Sequence, residues 1–341
     1  MTDDLQPLAV DDGVQRYLNH RSIEVSEETL KTYDYRLRKF RRWCDNHGGI
    51  DELNQLDGRD LDAYERYRRQ QGVKATTLKG DMKDLRMAVR YWERIEAVEE
   101  GLAEKVPVRN PKKREEVSQE TLRAESAMPL LRYYRNRTFG TRNHAILELA
   151  WSTAARLGGL CALDLGDYYP EDGYVWFRHR PDTGTALKKD FESERVVSIP
   201  DRVVDAIEAY RSDHRYGKCD DFGRHPLFTS QQGRPHKNTL RAWSYNLTQP
   251  CHHGRCPHGK EISSCKYREH GHYSKCPSSK STHPIRKGSI SWHLANGVPM
   301  EIVEARCDAS REVILLHYDM RSPEERMQHR RGTVLPKLSY E

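Results

Sequence analysis

The chain is predicted to be mainly α-helical with a small antiparallel β-sheet, divided into two domains. Three observations lead there. Apolar and aromatic residues recur at helical spacing through the first hundred positions. A proline-containing basic stretch then interrupts the pattern, and beyond it two short strings rich in aromatic and β-branched residues stand among further helical segments.

Ser26 is a good helix N-cap, and Leu30, Tyr33, Leu37, Phe40 and Trp43 follow on one face until Gly48-Gly49 ends the helix. Leu61, Tyr64 and Tyr67 mark a second helix closed by Gly72. Leu78, Met82, Leu85, Val89 and Trp92 mark a third, with Lys79, Lys83, Arg86 and Arg90 on an adjacent face. The apolar stripes are core, and the basic stripe is a candidate DNA-facing surface. Residues 10–104 form this first domain. Residues 105–118, with Pro107, Pro111 and Lys112-Lys113-Arg114, read as a linker whose cations are placed to touch phosphates.

Residues 119–330 form the second domain, followed by a tail at 331–341. Helices are expected over Glu125 to Arg137 and Arg142 to Arg156. Strands are expected over Gly173–His179 and Glu194–Pro200, joined by a hairpin-like connection through Thr183–Lys189. A helix starting near Asn238 carries Leu240, Trp243 and Leu247.

The chain has 341 residues, 36% hydrophobic and 32% charged, so a core is possible beneath a heavily charged surface. No run approaches the roughly 18 apolar residues of a membrane span, and the acidic start Met1-Thr2-Asp3-Asp4 lacks the basic and apolar regions of a signal peptide. A cytoplasmic, nucleoid-associated protein is expected, with no membrane partner. A net charge of +6 favours a polyanion. The excess is local: from Arg234 to Lys287 there are eleven Lys and Arg against two acids, Glu261 and Glu269. Arg234, Lys237, Arg241 and Lys287 join the DNA-contact candidates.

Chemistry-bearing residues come in a telling order. Arg156 stands in Thr153-Ala154-Ala155-Arg156-Leu157-Gly158-Gly159-Leu160, a His-x-x-Arg follows in His283-Pro284-Ile285-Arg286, and Tyr318 lies near the end. Two arginines can fork onto the non-bridging oxygens of one phosphate and stabilise a five-coordinate phosphorus. A histidine moves protons near neutral pH, and a tyrosine is a possible nucleophile.

In these motifs the chain resembles the tyrosine recombinases of the phage-integrase family, over roughly residues 10 to 330. The segment Ser152 to Asp167 keeps the arginine, the leucines and the closing aspartate, Asp167, of the family's first box, with Gly159 where glutamate is common. The second box is His283 to Gly288, with Lys287 at its second-histidine position. The third-box position, His or Trp in the family, falls on Asp308 or Ala309, and an ionised aspartate cannot donate the usual hydrogen bond. Arg178-His179-Arg180-Pro181, Arg306 to Ser310 and Cys276-Pro277-Ser278-Ser279 look more like haloarchaeal than bacterial integrases.

The resemblance implies a SAM-like core-binding domain that clamps DNA, followed by a catalytic domain that cuts and rejoins duplex DNA through a 3′-phosphotyrosyl intermediate. Tyr318 would be the nucleophile, Arg156 and Arg286 the phosphate clamp, and His283 the proton-transfer group. A hairpin lysine, Lys188 with Lys189 close behind, would protonate the leaving oxygen. Neither ATP nor any other cofactor is needed for catalysis. The partner is double-stranded DNA, bound by a homotetramer on two sites and met as a monomer or dimer when free. One alternative is a catalytically impaired DNA-binding regulator that kept the fold; another is a topoisomerase with the same chemistry.

Four of the eight cysteines, Cys251, Cys256, Cys265 and Cys276, fall in a Cys/His-rich insert at 251–276. In a cytosolic chain such clustering suggests metal before disulfide. A structural zinc on these four is expected, with His258 as a substitute ligand. Free thiols and a disulfide are the other readings. Cys44, Cys161 and Cys307 read as buried small hydrophobes.

Overall fold

The computed structural model describes residues 5–112, 115 and 117–334. The chain divides into two compact units, Met1–Ser118 and Gln119–Glu341.

The first unit is helical. Its helices are α1 (Val10–Arg21), α2 (Glu27–Trp43), α3 (Gly58–Gln70), α4 (Ala75–Arg94) and the single turn α5 (Leu102–Lys105). Ser26 caps α2, its hydroxyl accepting from the Thr29 amide at 3.3 Å, and Gly49 leaves the helix in the left-handed region with φ 63°. The expected stripes meet: Phe40, Trp43, Tyr64 and Trp92 are buried, and the Phe40 ring stands edge-on to Tyr64 at 5.2 Å. α1 has no counterpart among the stripes read from the sequence. It docks by close approach, since a Cβ on Gly13 would lie 2.2 Å from the Leu53 side chain, and the Trp92 indole donates to the Gly13 carbonyl at 2.8 Å. The start of the expected linker is also core: Val106 is fully buried beside Leu102 and Ala103.

The second unit begins with α6 (Ala124–Arg137) and α7 (Arg142–Thr153). Every residue of α7 from His144 to Thr153 is buried, which makes it the central helix of the unit. α7 ends three residues earlier than expected because Ala154 turns left-handed at φ 51°. α8 (Leu157–Ala162) follows. A three-stranded antiparallel sheet comes next, with β1 (Tyr168–Tyr169), β2 (Tyr174–Phe177) and β3 (Arg195–Ser198) in the order β1-β2-β3. Val175 faces Val197 across β2 and β3. The residues between those strands form 3-10 turns and one bridge, Arg180 to Thr185, in place of a tight hairpin.

α9 (Asp201–Asp213) and α10 (Lys237–Leu247) pack on α7 and lead to the Cys/His-rich segment. Then come α11 (Thr282–Ala295), α12 (Met300–Cys307), the short α13 (Arg311–Val313) widening into a π-type turn at Ile314–Tyr318, and α14 (Pro323–Val334). α11 also lies against α7. Its Gly288 permits close approach both to the segment before α6 and to α7, because a Cβ there would sit 1.7 Å from the Leu122 carbonyl oxygen and 3.2 Å from the Trp151 ring. No helix among the described residues is long and apolar enough to cross a membrane.

Candidate active site

Four segments far apart in sequence converge at the end of α7. The left-handed turn at Ala154 reverses the chain so that Arg156 becomes the N-cap of α8. The Ala154 carbonyl accepts a hydrogen bond from Arg286 Nη1 on α11 at 2.6 Å. Arg286 is only 1% exposed, and its Nε and Nη2 find no partner of hydrogen-bond geometry. Its guanidinium carbon lies 4.8 Å from the centre of the Tyr318 ring. Burial lowers the Arg286 pKa, with Cys307 and Tyr318 working the other way and Arg156 adding to the fall.

Tyr318 closes the π-type turn and is 6% exposed. Ser291 of α11 donates to its carbonyl at 2.8 Å, and the His283 ring centre is 5.4 Å from its own. His283, in the first turn of α11, is exposed at its edge but crowded by protein. Lost hydration, then the cations Lys287, Arg286, Arg156 and Lys188, push its imidazole down to about 4.

Asp308 is the acid of this cluster. It caps α12 in the left-handed conformation, φ 53°. Its carboxylate accepts from Arg156 Nη1 and from the Ser193 hydroxyl at 2.9 Å, and it lies 3.5 Å from Lys189 Nζ. Arg156 Nη2 also donates to the Asp308 carbonyl at 2.5 Å. Although burial works against it, the Ser193 hydrogen bond and the charges of Arg156, Lys189 and Arg195 hold the Asp308 carboxyl below its ordinary range. Of the two third-box candidates, Asp308 therefore faces the arginine while Ala309 is 6% exposed within an apolar cluster. Both lysines of the β2–β3 connection are near: Lys188 acts electrostatically on His283, and Lys189 on Asp308.

Two residues of the cluster were missed from the sequence. Arg195, at the start of β3, donates to the Arg306 carbonyl at 2.9 Å and to the Ser193 carbonyl at 3.0 Å, and burial pulls its pKa down to about 10. Ser193 binds Asp308 as above. A basic residue opening a strand was the only sequence signal for Arg195, and Ser193 had none.

The candidate DNA contacts divide. Lys83, Arg90, Lys112 and Arg241 are exposed, and Lys79 and Lys237 are half-buried. Arg90 pairs with Glu104 at 2.6 Å, and Arg241 donates to Asn238 at 2.7 Å. Three expectations are corrected. Lys287 is 2% exposed, and burial lowers its pKa against the charge of Glu120. Arg234 is absorbed by Asp164, by Asp220 at 2.9 Å and by the Cys161 carbonyl at 2.7 Å. Arg86 donates to the Val106 carbonyl at 2.5 Å. Arg234 and Arg86 are half-buried and held by internal acceptors, and Lys287 is itself buried in α11. Lys113 and Arg114 lie outside the described residues.

Cys251, Cys256, Cys265 and Cys276 border one small cavity, but among the described residues no three His, Cys, Asp or Glu side chains stand in metal-binding geometry. Cys44, Cys161 and Cys307 are buried, and Cys219 is exposed.

A family model described as Phage integrase, N-terminal SAM-like domain, matches residues 14–95. The chain is 23% identical over 235 residues to tyrosine recombinase XerD of Halalkalibacterium halodurans, covering 66% of this chain and 72% of that one. It is 27% identical over 203 residues to tyrosine recombinase XerC of Xanthomonas campestris pv. campestris, and so spans 59% of that relative's length and of its own. A structure of the Tn1549 transposon integrase in complex with a circular intermediate DNA matches 96% of this chain and 99% of its own, with TM-score 0.67 and 12% identity. A lambda integrase tetramer bound to a Holliday junction matches 88% of this chain and 77% of its own, with TM-score 0.59 and 14% identity. The architecture is thus the integrase fold, a helical unit followed by a helical unit with a small sheet. In sequence the chain is similar to tyrosine recombinases, at 23–27% identity, and its first unit matches the phage-integrase SAM-like domain.

Proposed function

We propose that the chain cuts and rejoins duplex DNA at a specific site through a covalent 3′-phosphotyrosyl intermediate. The observation that carries this reading is the convergence of Arg156, His283, Arg286 and Tyr318 from three separate segments, with the Tyr318 ring against an arginine that has unused donors. Such donors suit the equatorial oxygens of a phosphate whose charge grows during in-line displacement.

The Tyr318 oxygen attacks phosphorus, the bond to the 5′ oxygen breaks, and the phosphate stays on Tyr318 through its 3′ linkage. The phenol proton passes to His283, which is neutral in the free protein; with its pKa down at about 4 the imidazole is a weak base there, and a bound phosphate that offsets the surrounding cations strengthens it. Lys188 supplies a proton to the departing 5′ oxygen. The phosphotyrosyl ester conserves the bond energy, so a 5′ hydroxyl from a second strand reverses the step without ATP or a catalytic metal. Lys79, Lys83, Arg90, Lys112, Lys237 and Arg241 track DNA phosphates, and four chains act on two sites. The motif strings favour a haloarchaeal type of integrase, working on the nucleoid in the cytoplasm.

A nicked suicide substrate tests the proposal. The wild-type chain should trap a covalent adduct. Tyr318→Phe should trap none while binding the same DNA nearly as well, because only the nucleophilic oxygen is lost. Adduct at the wild-type level in the variant would remove Tyr318 from its role. The rival reading, a regulator without catalysis, draws on the capture of Arg156 by Asp308. Tight binding without adduct by the wild-type chain would establish it.

A further inference from the structure

The segment from Gln249 to Ser281, between α10 and α11, has almost no means of folding itself. Its only regular elements are three-residue 3-10 turns at Pro250–His252, Lys266–Arg268 and Tyr273–Lys275. Its aliphatic content is Ile262 and three prolines, and its buried residues are Gln249, Cys276 and Ser279. Ordering a backbone costs roughly 1–2 kcal/mol per residue, and no core here offsets that. Yet the segment is closed at its neck. Thr248 Oγ1 donates to the Lys280 carbonyl at 2.9 Å and accepts from the Lys280 amide at 2.7 Å, while the Gln249 side chain donates to the Tyr267 carbonyl at 2.6 Å.

At the centre of the segment lies a cavity of ≈ 10 Å³, room for about one water-sized sphere. All four cysteines line it, although they come from positions spread across the whole segment. None is in a disulfide. Lys260 and Arg268 line the same cavity, and so does His258, whose Nε2 is 3.0 Å from the Ser278 hydroxyl.

From this convergence we infer that Cys251, Cys256, Cys265 and Cys276 bind one structural zinc ion. Thiolates meet zinc at about 2.3 Å in a tetrahedron, so binding draws the four sulfurs inward from the cavity wall. Cys251 lies in one of the short turns, and Cys265 and Cys276 flank the other two. Each thiol loses its proton on binding. Four thiolates and a divalent ion leave two negative charges, and Lys260 and Arg268 are the cations placed to balance them. His258 is the nearest substitute should one sulfur be absent. The site lies apart from Tyr318 and takes no part in strand cleavage. Its effect is on the approach to α11, since the neck at Thr248 and Lys280 is two residues from Thr282, where the helix bearing His283 and Arg286 begins.

The test is the metal content of the full chain, purified reduced and without chelator. One zinc per chain is expected, falling below about one tenth in the Cys265→Ser, Cys276→Ser double variant, whose melting temperature should also fall. Cobalt exchanged into the wild-type chain should show the visible absorption of a tetrahedral thiolate complex, a readout that does not require the variant to fold. Absence of stoichiometric metal from folded, reduced protein would overturn the inference. So would a cobalt spectrum lacking thiolate bands, or four freely reactive thiols with no metal release. None of these measurements involves DNA, so their outcome is independent of whether the chain recombines it.

Discussion

The active-site cluster and the cysteine-rich segment meet at the same end of α11 but are held by opposite means. Around Arg286 the helix is buried from Thr282 to Ile290 except at His283, and the arginine is fixed by the Ala154 carbonyl against an apolar cluster containing Ile290, Val303 and Cys307. In the cysteine-rich segment the side chains are mostly exposed, and order comes from the hydrogen bonds at the neck and around the cavity. The difference teaches where each region is vulnerable. Packing tolerates no added volume, whereas a polar loop tolerates volume but depends on its cross-links.

The largest expected effect falls on the packed side. Arg286→Lys should cut covalent-adduct formation at least about 100-fold, because lysine keeps the charge but loses the planar fork and its fixed donors. A variant with full cleavage would show that the buried guanidinium is only a packing element. Next comes Gly288→Ala, which would press a methyl group into the Leu122 carbonyl at 1.7 Å. A loss of about 3 kcal/mol in chemical denaturation is expected. Gly254, within the cysteine-rich segment, is its control: nothing lies within 4 Å of an added Cβ there, so Gly254→Ala should shift stability by about 0.5 kcal/mol or less. Equal losses at the two glycines would erase the contrast.

The smallest effect is electrostatic. With its pKa at about 4, His283 is neutral in the free protein above that pH, whereas the unfolded chain takes up the proton near the ordinary value of 6.5. Between the two the unfolded state binds more protons, so this group makes stability rise with pH over that window. A phosphate in the site would offset the surrounding cations and raise the His283 pKa. Proton NMR titration of Tyr318→Phe, free and with a DNA duplex, should show a low midpoint that moves up on binding. A free-state midpoint near 6.5 would mean that the cations do not reach the ring.

Much of this was legible in the chain. Helices α2, α3 and α4 follow from apolar stripes of local period, β2 and β3 from β-branched strings, and Arg156, His283, Arg286 and Tyr318 from motif order. Local periodicity reports which face of an element is buried, and it was sufficient for these. It could not report pairings between distant residues. Asp308 binds Arg156 across 152 positions, and Arg234 meets Asp164 across 70, so an arginine read as a DNA contact proved to be an internal ion-pair partner. Lys287 looked like a surface cation because charge is visible in a sequence and burial on a helix face is not. The first helix carries a stripe of its own, Val10, Val14, Tyr17 and Leu18, short and broken by Asp11, Asp12 and Gly13, and the close approach at Gly13 shows only in three dimensions. The sequence by itself determined the elements and the order of the reactive groups. Only the tertiary structure decided which charges face one another, because the Coulomb energy of a pair depends on distance in space and on burial, and neither is carried by separation along the chain.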